Sequence, residues 1–262
     1  MNSTDVFRAL HQSGDVLLLA NAWDAASARL LVRVGAKAVA TSSASLSWSL
    51  GYPDGGVLAP EHLRPAVRRI GRGLPVPLTV DIEDGYSAAP TDVAELAAAV
   101  AAAGAAGINI EDGAGSPELL AEKIAAIRAH GGCASLFINA RSDVFLRSLA
   151  RGPEATDMVV QRGLSYAQAG ADGLFVPGLS SLADVSRIAG AVPLPLNLMT
   201  VHGLAPLQEL AQAGVRRLSA GPSPFLSAYS HFYSSAAGFM QGDVRSFTGD
   251  HLTYDAMNEL TA

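Results

Sequence analysis

Cysteine is almost missing from this chain. Its single one, Cys133, cannot close an internal disulfide, and a lone thiol fits a reducing compartment, so the expected location is the cytoplasm. Charge is thin, at 16% of residues against the usual ~25%, and aromatics make up only 6%. The formal net charge of −6 supplies no basic field, which excludes nucleic acid and anionic membrane surfaces as partners. Long apolar runs are missing too. The first, Val16 to Ala20, is too short to span a bilayer, and alanine and glycine break up Leu96–Ala106. Met1 to Asp15 lacks the basic and apolar blocks of a signal peptide. No G-x-S-x-G, H-E-x-x-H or cysteine cluster occurs, so neither a serine nucleophile elbow nor a zinc site is indicated. Only two lysines occur. Lys37 precedes a strand and Lys123 lies within a helix, which leaves Schiff-base aldolase chemistry without a nucleophile.

What is present is core. Hydrophobic residues make up 49% of the 262 positions, with 26 glycines besides, enough for a large buried interior and too much for disorder. Eight short leucine- or β-branched-rich runs alternate with helix-period stretches: Val16–Asn21, Ala38–Ser42, Leu78–Glu83, Gly107–Glu111, Leu136–Arg141, Gly173–Val176, Leu194–Thr200 and Arg216–Ala220. They recur about every 29 residues, the length of one βα unit, and eight units predict an α/β fold, a (β/α)8 barrel of the TIM type. Glycine ends several helices just before a strand, at Gly35, Gly104, Gly170 and Gly214, where a left-handed residue stops a helix. An open doubly wound sheet is the alternative, but no G-x-G-x-x-G follows the first strand. No linker appears, so residues 1–262 read as one domain, with the barrel over about 15–240. The last stretch, Ser223–Ala262, is long enough for two or three helices that pack on the barrel or reach a neighbouring subunit.

Chemistry in such a barrel gathers at the C-terminal ends of the strands. Those ends carry Thr41-Ser42-Ser43 and a serine-rich loop to Asp54, then Asp81-Ile82-Glu83-Asp84-Gly85-Tyr86, Asn109-Ile110-Glu111-Asp112, Asn139-Ala140-Arg141-Ser142-Asp143, and Asn197 to His202. Side chains alternate along a strand, so Asp81 and Glu83 share a face, as do Asn109 and Glu111, and Asn139 and Arg141. If those faces point inward, three carboxylates crowd one mouth. A hard divalent cation relieves their repulsion, Mg²⁺ or Mn²⁺ rather than zinc, with Asp81 the direct ligand and Glu83 and Glu111 holding bound waters. Arg141 adds a planar cation suited to a carboxylate or phosphoryl group. A structural salt-bridge network is the plainer reading of the same four residues. Asp84, Asp112 and Asp143 read as caps or solvated loop residues, Ser42 and Ser43 as turn residues or donors, and His202 as a packing histidine or a base. Gly221-Pro222-Ser223-Pro224 is a weak candidate phosphate cradle, and Cys133 sits at the wrong end for chemistry.

The segments Ala20-Asn21-Ala22-Trp23-Asp24, Thr41-Ser42-Ser43 through Leu50-Gly51-Tyr52-Pro53-Asp54-Gly55, Asp81-Ile82-Glu83-Asp84-Gly85-Tyr86, Ile110-Glu111-Asp112 and Asn139-Ala140-Arg141-Ser142-Asp143 resemble, in order, the isocitrate lyase/phosphoenolpyruvate mutase superfamily. The resemblance implies a modified β/α barrel, a homo-oligomer (dimer or tetramer) that exchanges its last barrel helix between subunits, and a magnesium-bound 2-oxo acid or enolate at the mouth. It implies that Ser42, Ser43 and Ala44 donate to a substrate carboxylate, that Asp54, Asp81, Glu83 and Glu111 form the metal shell, that Arg141 contacts substrate, and that Trp23 and Tyr86 line the pocket.

Two departures narrow the activity. Asp81-Ile82-Glu83 stands where many members carry Asp-x-Asp. The Lys-Cys-Gly-His motif of the carbon–carbon lyases, whose cysteine is the acid–base group, is replaced by Gly113-Ala114-Gly115-Ser116-Pro117. The expectation is a Mg²⁺-dependent lyase of a small 2-oxo or 2-hydroxy (di)carboxylic acid, working through an enolate. Oxaloacetate-type decarboxylation comes first, because it needs no protein acid to break the bond. Retro-aldol cleavage with Tyr86 or His202 as base comes next, then P–C bond chemistry. A catalytically silent 2-oxo acid binder and a purely structural barrel are the non-enzymatic alternatives.

Overall fold

The computed structural model describes residues 2–249 and 251–261. Its nine strands are β1 (Leu17–Leu19), β2 (Asn21–Ala22), β3 (Val39–Thr41), β4 (Leu78–Asp81), β5 (Gly107–Glu111), β6 (Phe137–Arg141), β7 (Gly173–Phe175), β8 (Leu196–Met199) and β9 (Val215–Ser219). All pair in parallel, in the order β1-β9-β8-β7-β6-β5-β4-β3-β2. The two ends of that order are halves of one run, parted only by Ala20. β1 pairs with β9 and β2 with β3, and the Ala20 carbonyl accepts from Ala40 N at 3.2 Å. The ring closes there, so nine segments make the eight staves of a (β/α)8 barrel.

The helices are α1 (Ser3–Leu10), α2 (Ala25–Arg33), α3 (Ser43–Ser49), α4 (Pro60–Gly71), α5 (Pro90–Ala102), α6 (Pro117–Ala129), α7 (Gly152–Ala169), α8 (Leu182–Ala191), α9 (Leu207–Gln212), α10 (Ser223–Met240) and α11 (Tyr254–Thr261). Proline opens α4, α5 and α6 at a position where a missing N–H costs nothing. Gly170 ends α7 in the left-handed conformation, as its place in the sequence suggests. Two helices were not legible. The serine-rich stretch after β3, expected as a loop, folds as α3 with Ser42 as its N-cap. The polar N-terminal segment folds as α1, whose Phe7 is fully buried against Phe137, with ring centroids 5.2 Å apart, and closes the N-terminal end of the barrel. Among the described residues the tail carries α10 and α11.

Alternate residues of each strand build two different interiors. Val80, Ile108, Ile110, Ile138, Leu174 and Leu198 join an aliphatic sheath against the helices. Thr79, Asp81, Asn109, Asn139, Asn197 and Arg217, all buried, fall on the other face and fill the bore with polar groups. No helix among the described residues is long and apolar enough to cross a membrane. Met1, Asp250 and Ala262, which the one-domain expectation also covers, lie outside the described residues.

Candidate active site

The C-terminal strand ends surround a cavity of about 210 Å³. Ser42, Ser43, Ala44, Asp54, Asp81 and Arg141 form much of its polar lining, from the arc of β3 to β6. Leu146, Phe175, Pro177 and Met199 form its apolar lining, from the arc after β6 through β8. A neighbouring cavity of about 350 Å³ lies beside Glu83 and Glu111 and is bounded by Gly113 to Ser116, Lys123 and Arg147.

Asp81 ends β4, 7% exposed, and accepts from Glu83 N at 3.1 Å and from Asn109 Nδ2 at 3.2 Å. Glu83 reaches the same place by another route than strand alternation. The strand stops at Asp81, and Glu83 sits in the left-handed region at φ 52°, which turns its side chain back to the mouth. There Glu83 accepts from Tyr86 Oη at 3.0 Å and from Gly56 N. Tyr86 is itself left-handed, at φ 58°. The shared face expected for Asp81 and Glu83 is thus replaced by a turn: Ile82 N and Glu83 O still bond to β5, but the left-handed backbone at Glu83 ends the alternation.

Glu111 pairs with Arg141 Nη1 at 2.5 Å, and Asp143 grips the same guanidinium at 2.6 Å (Nε) and 3.0 Å (Nη2). Asp143 and Asp112, expected as caps or solvated groups, are instead buried ion-pair members. Asp143 also takes Arg147 Nε at 3.1 Å. Asp112 accepts from Asp143 N at 2.8 Å, Arg162 Nη1 at 2.7 Å and Tyr166 Oη at 2.6 Å. The plainer network reading therefore holds for part of the cluster. Arg141 is clamped, and two N–H bonds of its fork remain for a ligand.

Burial pushes the Asp81 carboxyl up, against the pull of Arg141. Burial likewise pushes Glu83 up, against the hydrogen bonds from Tyr86 and Gly56, and lifts Glu111 to about 8, with Arg141 opposing. Burial works against the Arg141 charge, but Glu111 and Asp143 hold its pKa above the ordinary value. Burial and Glu83 together raise the Tyr86 hydroxyl, so it stays protonated. Burial lowers Arg217 to about 9, with Asp81 opposing, so it stays charged at neutral pH.

No three His, Cys, Asp or Glu side chains among the described residues are arranged to hold a metal ion directly. The donor set fits a hydrated ion instead: Asp81 with lone pairs to spare at the cavity wall, and Glu83 and Glu111 within electrostatic range of it. Buried carboxylates whose ionisation is this disfavoured are what a hard cation relieves.

Other candidates lie elsewhere. His202 is exposed, and it lines neither mouth cavity. Trp23 packs edge-on to Phe225 at 5.3 Å and is not in the cavity wall. Gly221 N is taken by Asn21 Oδ1 at 2.8 Å, so that turn offers one donor fewer than a phosphate cradle would want. Lys123 sits on α6, but its Nζ reaches Asp84 O at 2.7 Å, nearer the mouth than a helix position suggested. The Gly113–Ser116 turn is short, with Ser116 capping α6 directly, and Cys133 is buried away from the mouth beside Ala94 and Ile127. The sequence reading missed Phe175 and Met199, which a strand-end search for polar groups passes over, and Arg217, whose neighbour Arg216 hides it.

The family model for phosphoenolpyruvate phosphomutase matches residues 7–240. An uncharacterised protein of Mycobacterium tuberculosis is 38% identical over 84% of this chain and 83% of its own length. A 2-methylisocitrate lyase of Aeropyrum pernix is 32% identical over 80% and 71%. An oxaloacetate decarboxylase of Rhodopseudomonas palustris is 30% identical over 76% and 72%. Among solved structures, a phosphonomutase-like protein of Burkholderia cenocepacia superposes with TM-score 0.85 at 41% identity, covering 90% of this chain and 99% of that one. A phosphonopyruvate hydrolase, solved with oxalate and Mg²⁺, shares the fold at TM-score 0.87 and 22% identity, covering 100% and 95%. The chain belongs to the phosphoenolpyruvate phosphomutase family and is an enzyme of the isocitrate lyase/phosphoenolpyruvate mutase superfamily of lyases and mutases.

Proposed function

We propose that this enzyme decarboxylates a small 2-oxo dicarboxylate of the oxaloacetate type, with a divalent ion, Mg²⁺ or Mn²⁺, at Asp81. The observation that carries this is the division of the mouth cavity. Its polar arc carries Asp81, Arg141, Ser42 and the first-turn N–H groups of Ser43 and Ala44, which suit the 2-oxo carboxylate end. The apolar arc of Leu146, Phe175, Pro177 and Met199 offers no cation to a second carboxylate, so that group is better lost as neutral CO₂ than kept. A bound divalent ion would supply Lewis-acid polarisation of the 2-oxo oxygen. The C3–C4 bond breaks, its electron pair moves through C3 towards the 2-oxo oxygen, and CO₂ leaves. A proton must then reach C3. The Tyr86 hydroxyl, kept protonated and held by Glu83, lines neither cavity, so it supplies that proton through water, with Asp54 in the wall of the mouth cavity. Glu83 and Glu111 would hold waters of such an ion. Retro-aldol cleavage has no such support: neither cavity is lined by a cysteine or histidine, and Tyr86, kept protonated, is no base.

The whole chain is proposed as one domain that acts in the cytoplasm as a homo-oligomer. The exposed apolar face of α10 (Leu226, Tyr229, Phe232, Tyr233) and exposed Leu18 on the outer face of β1 are surfaces that a second copy would cover. The test is release of pyruvate from oxaloacetate above the rate of free Mg²⁺ alone, lost in Arg141→Ala. No turnover above that background across a panel of 2-oxo dicarboxylates would overturn the reading.

A further inference from the structure

Arg217 is 1% exposed, among the largest fully buried side chains, and it crosses the bore from β9 to β5. Its Nη2 donates to Asn109 Oδ1 at 3.1 Å. Asn139 Nδ2 donates to the same oxygen at 2.9 Å, and Asn109 Nδ2 donates to Asp81 Oδ2 at 3.2 Å. The direction of this chain is forced. A guanidinium only donates and a carboxylate only accepts, so the Asn109 amide between them has one permitted orientation. Arg217 Nε and Nη1 have no hydrogen-bond partner among the described residues, with only the Phe7 ring beneath the guanidinium at 6.0 Å, so stability is given up to keep a cation there.

The backbone is built to place it. Leu196 pairs with Val215, but Asn197 pairs with Arg217, leaving Arg216 as an extra residue on β9. That bulge shifts the alternation by one. Val215 joins the sheath and Arg217, two residues on, enters the bore. Gly173, level with Asn139, leaves room for the same layer: a Cβ there would come within 2.7 Å of Asn139 Oδ1.

We propose that Arg217 is a positioning residue for the metal site: through Asn109 it fixes the rotamer of Asp81 and supplies a buried positive charge that keeps that carboxylate ready for a divalent ion. The inference rests on Asp81 being the metal-binding carboxylate. It acts from beneath the mouth, where no ligand reaches, so its effect is on ion affinity rather than on substrate contact.

The test is a Mn²⁺ titration of the full chain followed by electron paramagnetic resonance, with folding checked by circular dichroism. Arg217→Met is expected to weaken Mn²⁺ binding about tenfold or more, in the range of losses from ligand-orienting partners. Asn109→Ala should do the same, and the double variant should be no weaker than the worse single one, because both cut one chain. Arg217→Lys, which keeps a charge and one donor, should stay within about threefold of wild type. Unchanged Mn²⁺ affinity in folded Arg217→Met, with binding lost in Asp81→Ala, overturns this inference and leaves the metal reading standing. If Arg217→Met does not fold, Asn109→Ala and Arg217→Lys decide, and wild-type affinity in Asn109→Ala is the overturning result. No Mn²⁺ binding by wild type overturns the metal reading and this inference together.

Discussion

On β5, Ile108 and Ile110 face the helices, while Asn109 faces the bore and Glu111 the mouth; on β6, Ile138 and Ala140 face out, while Asn139 and Arg141 face in. The same five-residue strands thus serve two regions that follow opposite rules. The sheath is saturated with aliphatic contacts and carries no charge. The bore keeps a cation, a carboxylate and several amides out of water, and leaves Thr79 Oγ1, Asn197 Nδ2 and two Arg217 nitrogens unpartnered. Stability is made in the sheath and spent in the bore, where rigid dipoles and charges beneath the mouth orient the groups that meet a ligand.

If that division is right, variants in the two regions part company. The largest effect belongs to the mouth. Asp81→Ala should lower Mg²⁺-dependent oxaloacetate decarboxylation by roughly 10³-fold, on the order of 4 kcal/mol, and should lower the melting temperature as well, since it leaves the buried Arg217 charge without the carboxylate that opposes its burial penalty. Steady-state rates beside a thermal melt check both halves. In the sheath, Ile138→Ala should cost about 3 kcal/mol of unfolding free energy by urea denaturation, yet leave Mn²⁺ affinity within error. A sheath variant that loses the ion as readily as a bore variant would erase the distinction.

The closed lower end gives a smaller effect. His11 packs on Phe137 at 4.1 Å and bonds the Phe7 carbonyl through Nδ1 at 2.8 Å. Burial, with Arg217 above it, lowers its pKa to about 3. The folded-state pKa lies below the unfolded value near 6.5, so the unfolded chain binds the extra proton. The stability that neutral His11 contributes is complete above pH 6.5 and is lost as pH falls towards 3, at about 1.4 kcal/mol per pH unit. Denaturant unfolding at pH 7 and pH 4.5 should show this fall, and His11→Phe should flatten it. The smallest change is expected at Leu18, 55% exposed on the outer face of β1. In the isolated chain Leu18→Ser should shift stability by only about 0.5 kcal/mol or less. If a second copy covers this face, the wild-type melting temperature should rise with protein concentration, and the same variant should weaken that dependence.

Much of the fold was legible because one signal repeats. The βα rhythm and the glycine stops are local, and eight βα units predict a closed barrel. The carboxylate-rich strand ends were legible for the same reason, since alternation brings Asn109 with Glu111 and Asn139 with Arg141 to one face. The rest depended on non-local packing. α1 is a short polar segment whose one anchor, Phe7, gains meaning only against Phe137, 130 residues away. α3 hides in a serine run of poor helix propensity and is held by its buried face. His202 stands near a strand end in sequence, but its loop carries it into solvent.

The amino-acid order alone therefore determined the class of fold, the residues gathered at the strand ends and the family to which they point, because periodicity and motif are properties of neighbours along the chain. Which carboxylates are already committed to Arg141, how Glu83 turns back into the mouth, and which of two adjacent arginines enters the bore were decided only in three dimensions. A left-handed turn after β4 and one extra residue in β9 settle the last two, and both follow from how the strands register against their partners.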